Sequence, residues 1–236
     1  MIWSSILILT IIGASPRAKA RTHSPSVLRV SPKIRLRIYN YGISHALLLR
    51  SEGEATNILN HAGLAVGWLD CPLSAEETEL YPSCLNTIGS TEFTIRILTA
   101  REAQRIAIYR DALGQALECL GDHNGCSAYI FYRDVPELAR DGDASESQLL
   151  GHALAHEIGH LLLGANSHTS EGIMRANWRQ QELNTIGSAH LFFTDEQSER
   201  MRTVVSALNS DQHEQTQNYA AENSQAARNS TDEKKK

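Results

Sequence analysis

Apolar and polar residues alternate with a period of two, then of about four, then of two again over the first ordered part of the chain. In "KIRLRIYNY", residues 33–41, Ile34, Leu36 and Ile38 share one face, the signature of a half-buried strand. Behind Ser44, apolar residues at 47, 48, 55, 58, 59 and 62 recur at helical spacing, which predicts a Ser-capped helix stopped by Gly63. "AVGWLDC" (65–71) reads as a second strand and "EFTIRIL" (92–98) as a third. The segment from Cys71 to Cys84, with Pro72 and Pro82, reads as loop.

Residues 99–119 fit one helix, or a helix giving way to a short strand around 113–117. The turn signal "GDHNG" and the aromatic, β-branched "CSAYIFYRDV" after it favour the second reading, a hairpin. Ser145 caps a helix predicted to run to Leu163 and to halt at Gly164. After a stretch read as loop, Thr194 and Gln197 form a capping box for a last helix, with Met201, Val204, Val205 and Leu208 as its apolar stripe. Residues 211–236 lack large apolar side chains except Tyr219 and read as a disordered tail. This order of elements predicts a mixed sheet with helices packed on it, an α+β or mixed α/β fold.

With 236 residues, 42% hydrophobic and 21% charged, the chain suits one domain with a sizeable core, placed at residues 27–210. A net charge of −5 leaves no basic footprint for nucleic acid. The N-terminus changes the picture more. Residues 6–12 are a short apolar run, and Ala18-Lys19-Ala20 is a small-x-small pattern, the plan of a signal peptide over 1–20. The run is short for a bilayer, so the mature form is expected free of the membrane, secreted or periplasmic; a retained anchor is the alternative. The dozen residues between Ala20 and the first strand leave no room for an inhibitory prosegment. Four cysteines fit export and allow three pairings. Proximity favours Cys71–Cys84 and Cys119–Cys126.

The candidate chemistry lies in "HALAHEIGHLLLGANSH", residues 152–168. His156 and His160, four apart on a helix, project from nearly one face and can share a metal ion. Glu157 stands beside them, placed to take a proton from a metal-bound water and hand it to a leaving amine. A catalytic zinc usually has three protein ligands. Gly164 can turn the chain sharply, and His168 can fold back as the third; His190, Glu171 and Glu182 are the rivals. His152 lies one turn before His156, but Glu157 follows His156, so His152 is read as a packing or rim residue. Arg175 and Trp178, just beyond Met174, are placed to line a substrate cleft.

These residues resemble the metzincin clan of zinc endopeptidases, whose pattern is HExxHxxGxxH followed by a methionine-containing turn. The counterpart here is His156-Glu157-x-x-His160-x-x-x-Gly164-x-x-x-His168, then Gly172-Ile173-Met174, within a resemblance spanning residues 32–208. One residue is added on each side of the glycine. The resemblance implies a twisted, mostly parallel sheet with an antiparallel edge strand, an active-site helix and a C-terminal helix. It also implies one zinc ion held by His156, His160 and His168, Glu157 as general base, and Met174 as hydrophobic floor. A peptide or protein substrate would lie along an edge strand at 112–118, beside an inner strand at 127–132. The expectation is a monomeric, secreted endopeptidase. The alternatives are a metal-binding or interaction protein that keeps this fold with little proteolysis, and another zinc hydrolase acting on an acyl or cell-wall amide.

Overall fold

The computed structural model describes residues 31–105, 112–117 and 126–211. The expected signal segment, Cys119, the GDHNG turn and the tail past 211 lie outside these residues. Five strands, β1 (Lys33–Asn40), β2 (Ala65–Cys71), β3 (Glu92–Leu98), β4 (Gly114–Leu117) and β5 (Ser127–Phe131), form one sheet. Its order is β2–β1–β3–β5–β4. β2, β1, β3 and β5 run parallel, and β4 pairs antiparallel with β5 at the edge. The predicted mixed sheet with an antiparallel edge strand is therefore the architecture found.

The two-residue period explains which face is buried. Ile34, Leu36, Ile38, Phe93, Ile95, Ile97, Ala128 and Ile130 point to one side and are closed to solvent. Each full burial of such an aliphatic or aromatic side chain is worth ~1.5–3 kcal/mol. Two helices cover that face: α1 (His45–His61), capped by Ser44, and α6 (Glu146–Leu163). They cross closely, because a Cβ on Gly151 of α6 would lie 2.8 Å from the Ser51 carbonyl of α1. β5 and β4 lie beyond α1 along the sheet, so α6 also packs on them, which brings its histidines to the sheet edge.

The opposite face is polar except at one end, where Leu98, Ala103 and Phe131 form a small apolar cluster. Arg37, 3% exposed, pairs with Glu92 and donates to the carbonyls of Cys84 at 3.0 Å and Asn86 at 2.8 Å. That guanidinium ties the Cys71–Cys84 segment to the sheet. The Cys71–Cys84 disulfide is formed, and Cys126 is also disulfide-bonded, its expected partner Cys119 lying outside the described residues. The segment is less irregular than predicted: α2 (Ala75–Thr78) starts where the Ser74 hydroxyl accepts from Glu77 N–H at 3.1 Å, and α3 (Pro82–Leu85) starts at a proline.

The ambiguous stretch resolves into α4 (Ala100–Arg105) and, after residues outside the described set, the short strand β4. Two boundaries differ from the sequence pattern. β5 ends at Phe131, not near Val135, because a 3-10 turn over Tyr132–Asp134 leads into α5 (Val135–Asp141), whose first turn holds Pro136. The stretch read as loop after Gly164 contains α7 (Gln180–Ser188). The last helix, α8 (residues 195–211), begins at the expected box: Thr194 Oγ1 accepts from Gln197 N–H at 3.2 Å, and Gln197 Oε1 accepts from Thr194 N–H at 3.0 Å. Among the described residues no helix is long and apolar enough to cross a membrane.

Candidate metal centre

α6 opens on a capping box, with Ser145 Oγ accepting from Gln148 N–H at 3.2 Å and Gln148 Oε1 accepting from Ser145 N–H at 2.8 Å. It is buried almost throughout, so polar groups on it must find partners inside the protein. His156 does so through Nδ1, 2.7 Å from the Ile173 carbonyl. A carbonyl can only accept, so Nδ1 carries the proton and Nε2 presents its lone pair. The same carbonyl accepts from Trp178 Nε1 at 3.2 Å, and the Trp178 ring stands edge-on to His156 at 5.7 Å.

His160 is oriented by the chain that follows it. Its Nδ1 lies 3.0 Å from Ser167 Oγ and 3.3 Å from the Gly164 carbonyl. Ser167 Oγ donates to that carbonyl at 2.7 Å, so the hydroxyl is free to accept from Nδ1. His160 Nε2 therefore also faces inward with its lone pair. It lies 3.1 Å from His156 Nε2 and 3.0 Å from the Nε2 of His168, which the loop after Gly164 returns to the helix. The donor atoms of all three histidines fall within 4.8 Å of one another.

Three imidazole nitrogens, two of them with their protons committed elsewhere, repel one another unless a cation sits among them. Ligands at 2.0–2.1 Å from one tetrahedral zinc stand about 3.3–3.4 Å apart, close to the 3.1 and 3.0 Å from His160 to its two neighbours. The carbonyl and hydroxyl partners on Nδ1 are the outer contacts that metal-binding histidines ordinarily make. The donor set fits zinc.

Burial sets the charges. It depresses His156 to about 4, outweighing the Ile173 carbonyl, with the neighbouring His160 and His168 pushing further down. His160 is lowered for the same first reason. Both are neutral at pH 7, as ligation requires. Glu157 is pushed up to about 8 by burial, partly offset by a hydrogen bond from the Ala116 backbone.

The cluster opens into a cavity of about 700 Å³. Its walls are β4 from Gly114 to Ala116, α5, and the segment from Arg175 to Trp178, so the two predicted cleft residues do line it. Met174 is fully buried, and a Cβ on Gly159 would lie 2.5 Å from its Sδ, so the thioether packs against the helix between His156 and His160. None of the rival third ligands joins the cluster. His190 Nε2 pairs with Glu54 at 2.8 Å, Glu182 pairs with Arg175 at 2.7 Å and accepts from Arg179 N–H at 2.8 Å, and Glu171 is exposed. His152 is fully buried, its Nδ1 on the Gln148 carbonyl at 2.7 Å and its Nε2 accepting from Leu191 N–H at 3.1 Å. It is a structural strut for the chain entering α8.

Three contributors escape sequence reasoning. The Ile173 carbonyl and the Ala116 N–H are backbone groups with no side-chain signal. Ser167, next to His168, was open to discovery as a hydroxyl within reach of a ligand.

No protein-family model and no curated protein matches the chain. Among solved structures it is similar to archaemetzincin from Methanopyrus kandleri, at 17% identity and a TM-score of 0.43, over 76% of this chain and 99% of that one.

Proposed function

We propose that the protein is a zinc-dependent endopeptidase, with His156, His160 and His168 holding one zinc ion and Glu157 serving as general base and acid. One observation carries the proposal: three histidine Nε2 atoms converge beside a buried glutamate, in a cleft bounded by the open side of an antiparallel edge strand. When bound, zinc would supply Lewis-acid polarisation of the scissile carbonyl.

The chain's own residues do the rest. An extended peptide adds to the side of β4 that pairs with no other strand among the described residues, and brings its carbonyl to the histidines. Glu157 takes a proton from the attacking water and returns it to the leaving nitrogen. A dication nearby favours its ionised form, so the carboxylate is available as a base near neutrality despite burial. Met174 and Trp178 hold the ligand geometry from beneath. Export belongs to the same proposal: the Cys71–Cys84 disulfide supports an oxidising compartment, secreted or periplasmic. The substrate is a peptide or protein, and the chain acts alone.

The test is peptide hydrolysis by the mature protein with and without chelator, beside Glu157→Ala. The wild type should lose activity to the chelator and regain it with zinc. Glu157→Ala should keep one zinc and lose about 10²–10⁴-fold in kcat. Zinc binding without cleavage of any peptide in a broad library would instead make this a metal-binding protein. An active Glu157→Ala would refute the mechanism.

A further inference from the structure

The edge strand does more than border the cleft. The Phe131 N–H donates to the Leu113 carbonyl at 2.8 Å, Gln115 stands opposite Tyr129, and Leu117 opposite Ser127. In an antiparallel pair, residues that exchange hydrogen bonds alternate with residues whose backbone groups point outward. Leu113, Gln115 and Leu117 therefore bond to β5, and Gly114 and Ala116 turn their N–H and C=O groups to the open side. The Glu157 carboxyl stands on that side, beside the Ala116 backbone.

Gly114 lies against the same side chain. A Cβ at this position would fall 2.5 Å from Glu157 Cγ, 2.6 Å from Oε1 and 2.7 Å from Cδ. Carbon atoms in contact normally stay ~3.5–4.0 Å apart. Turning the carboxylate about its last bond would not relieve this, because Cγ itself is too close. Glu157 is 5% exposed and lines the cavity, so relief would require swinging the whole side chain out of its present place.

We propose that Gly114 is a positioning residue for Glu157: the missing side chain at 114 forms the slot in which the carboxylate stands. The strand that receives the substrate thereby also aims the base. A glycine inside a strand commonly marks such a close approach. The catalytic consequence rests on the peptidase reading; the slot does not.

A double-mutant cycle of thermal stability separates the two. Gly114→Ala, Glu157→Ala and the double variant are compared as full-length, zinc-supplemented protein. With Glu157 present, Gly114→Ala should lower Tm by about 3 °C or more. In the Glu157→Ala background the same change should leave Tm unchanged or raise it, since alanine suits a strand better than glycine. In peptidase assays Gly114→Ala should keep one zinc and a near-constant KM while kcat falls about 10²-fold. Equal Tm shifts in both backgrounds, or an unchanged kcat in Gly114→Ala, overturn the proposal. A wild type that cleaves nothing overturns the peptidase reading instead, and the stability cycle still decides whether the slot exists.

Discussion

His168→Ala tests the metal site where its geometry is least local. His156 and His160 are placed by one helix, but His168 reaches them only through the chain after Gly164. Its side chain is exposed and belongs to no core cluster, so its removal should leave the metal-free fold intact, with Tm unchanged within about 1 °C. Zinc binding should respond strongly. Structural zinc sites with four ligands gain about 10–16 kcal/mol, roughly 2.5–4 per ligand, so loss of one weakens binding about 10²–10³-fold. At a fixed zinc concentration well above Kd, that removes ~2.7–4.1 kcal/mol of ligand-derived stability. For a domain of this size each kcal/mol is worth about 2–4 °C, so the zinc-induced rise in Tm should shrink by ~5–16 °C. Calorimetric scans with and without zinc, beside equilibrium dialysis, read both quantities. His190→Ala is the control, because His190 pairs with Glu54 away from the cluster. One-to-one zinc at unchanged affinity in His168→Ala would remove His168 from the site; the same loss in His190→Ala would show that the reasoning confuses folding with ligation.

Two further outcomes follow from groups outside the ligand set. Glu52 is buried, its Oε1 has no hydrogen-bond partner, and burial, then the charge of Asp70 and a hydrogen bond to it, push its pKa from 4.5 to about 8. Below the lower value both states hold the proton; between the two, only the folded state does, so stability falls as pH rises through this window. Glu52→Gln stays neutral and should flatten that fall, read as Tm against pH from 4 to 9; parallel profiles for variant and wild type would refute it. Gly164 sits at φ +94° and ψ 166°, a region open essentially to glycine alone, and a Cβ there would touch nothing. Gly164→Ala should therefore cost about 1–3 kcal/mol through the backbone only, appearing as lower Tm or weaker zinc binding by titration calorimetry. No change in either measurement would refute the account of the loop.

What was legible in the sequence is what the sequence encodes locally. Ile34, Leu36 and Ile38 alternate because one sheet face is buried, and the parallel partners Phe93, Ile95 and Ile97 repeat the same pattern. The histidine spacing in α6 is likewise a property of one helix. α7 was hidden because only Leu183 and Ile186 mark its apolar side in nine residues, and its start uses Arg179 where a short polar cap is usual. The end of β5 was missed because the aromatic run continues into Tyr132 while the backbone already prepares for Pro136. Gly114 stood in a segment that only the turn after it tips towards strand, and its closeness to Glu157, 43 positions on, left no trace in the local pattern.

The two added residues around Gly164 show how a spacing change can still bring three histidines together. The extra helical residue turns the exit by about 100° and advances it ~1.5 Å. The added loop residue alone would give His168 reach without direction. Direction comes from Ser167, which donates to the Gly164 carbonyl at 2.7 Å and stands 3.0 Å from His160 Nδ1, fastening the loop to the histidine it approaches. On the far side, Thr169 N–H donates to the Met174 carbonyl at 2.9 Å, and Ile173, the residue before Met174, carries the carbonyl that orients His156. The loop bearing His168 is thus pinned at one end to the second histidine and at the other to the turn that holds the first. A histidine fixed in this way needs no fixed count of residues, only a hydroxyl before it and a backbone bridge after it.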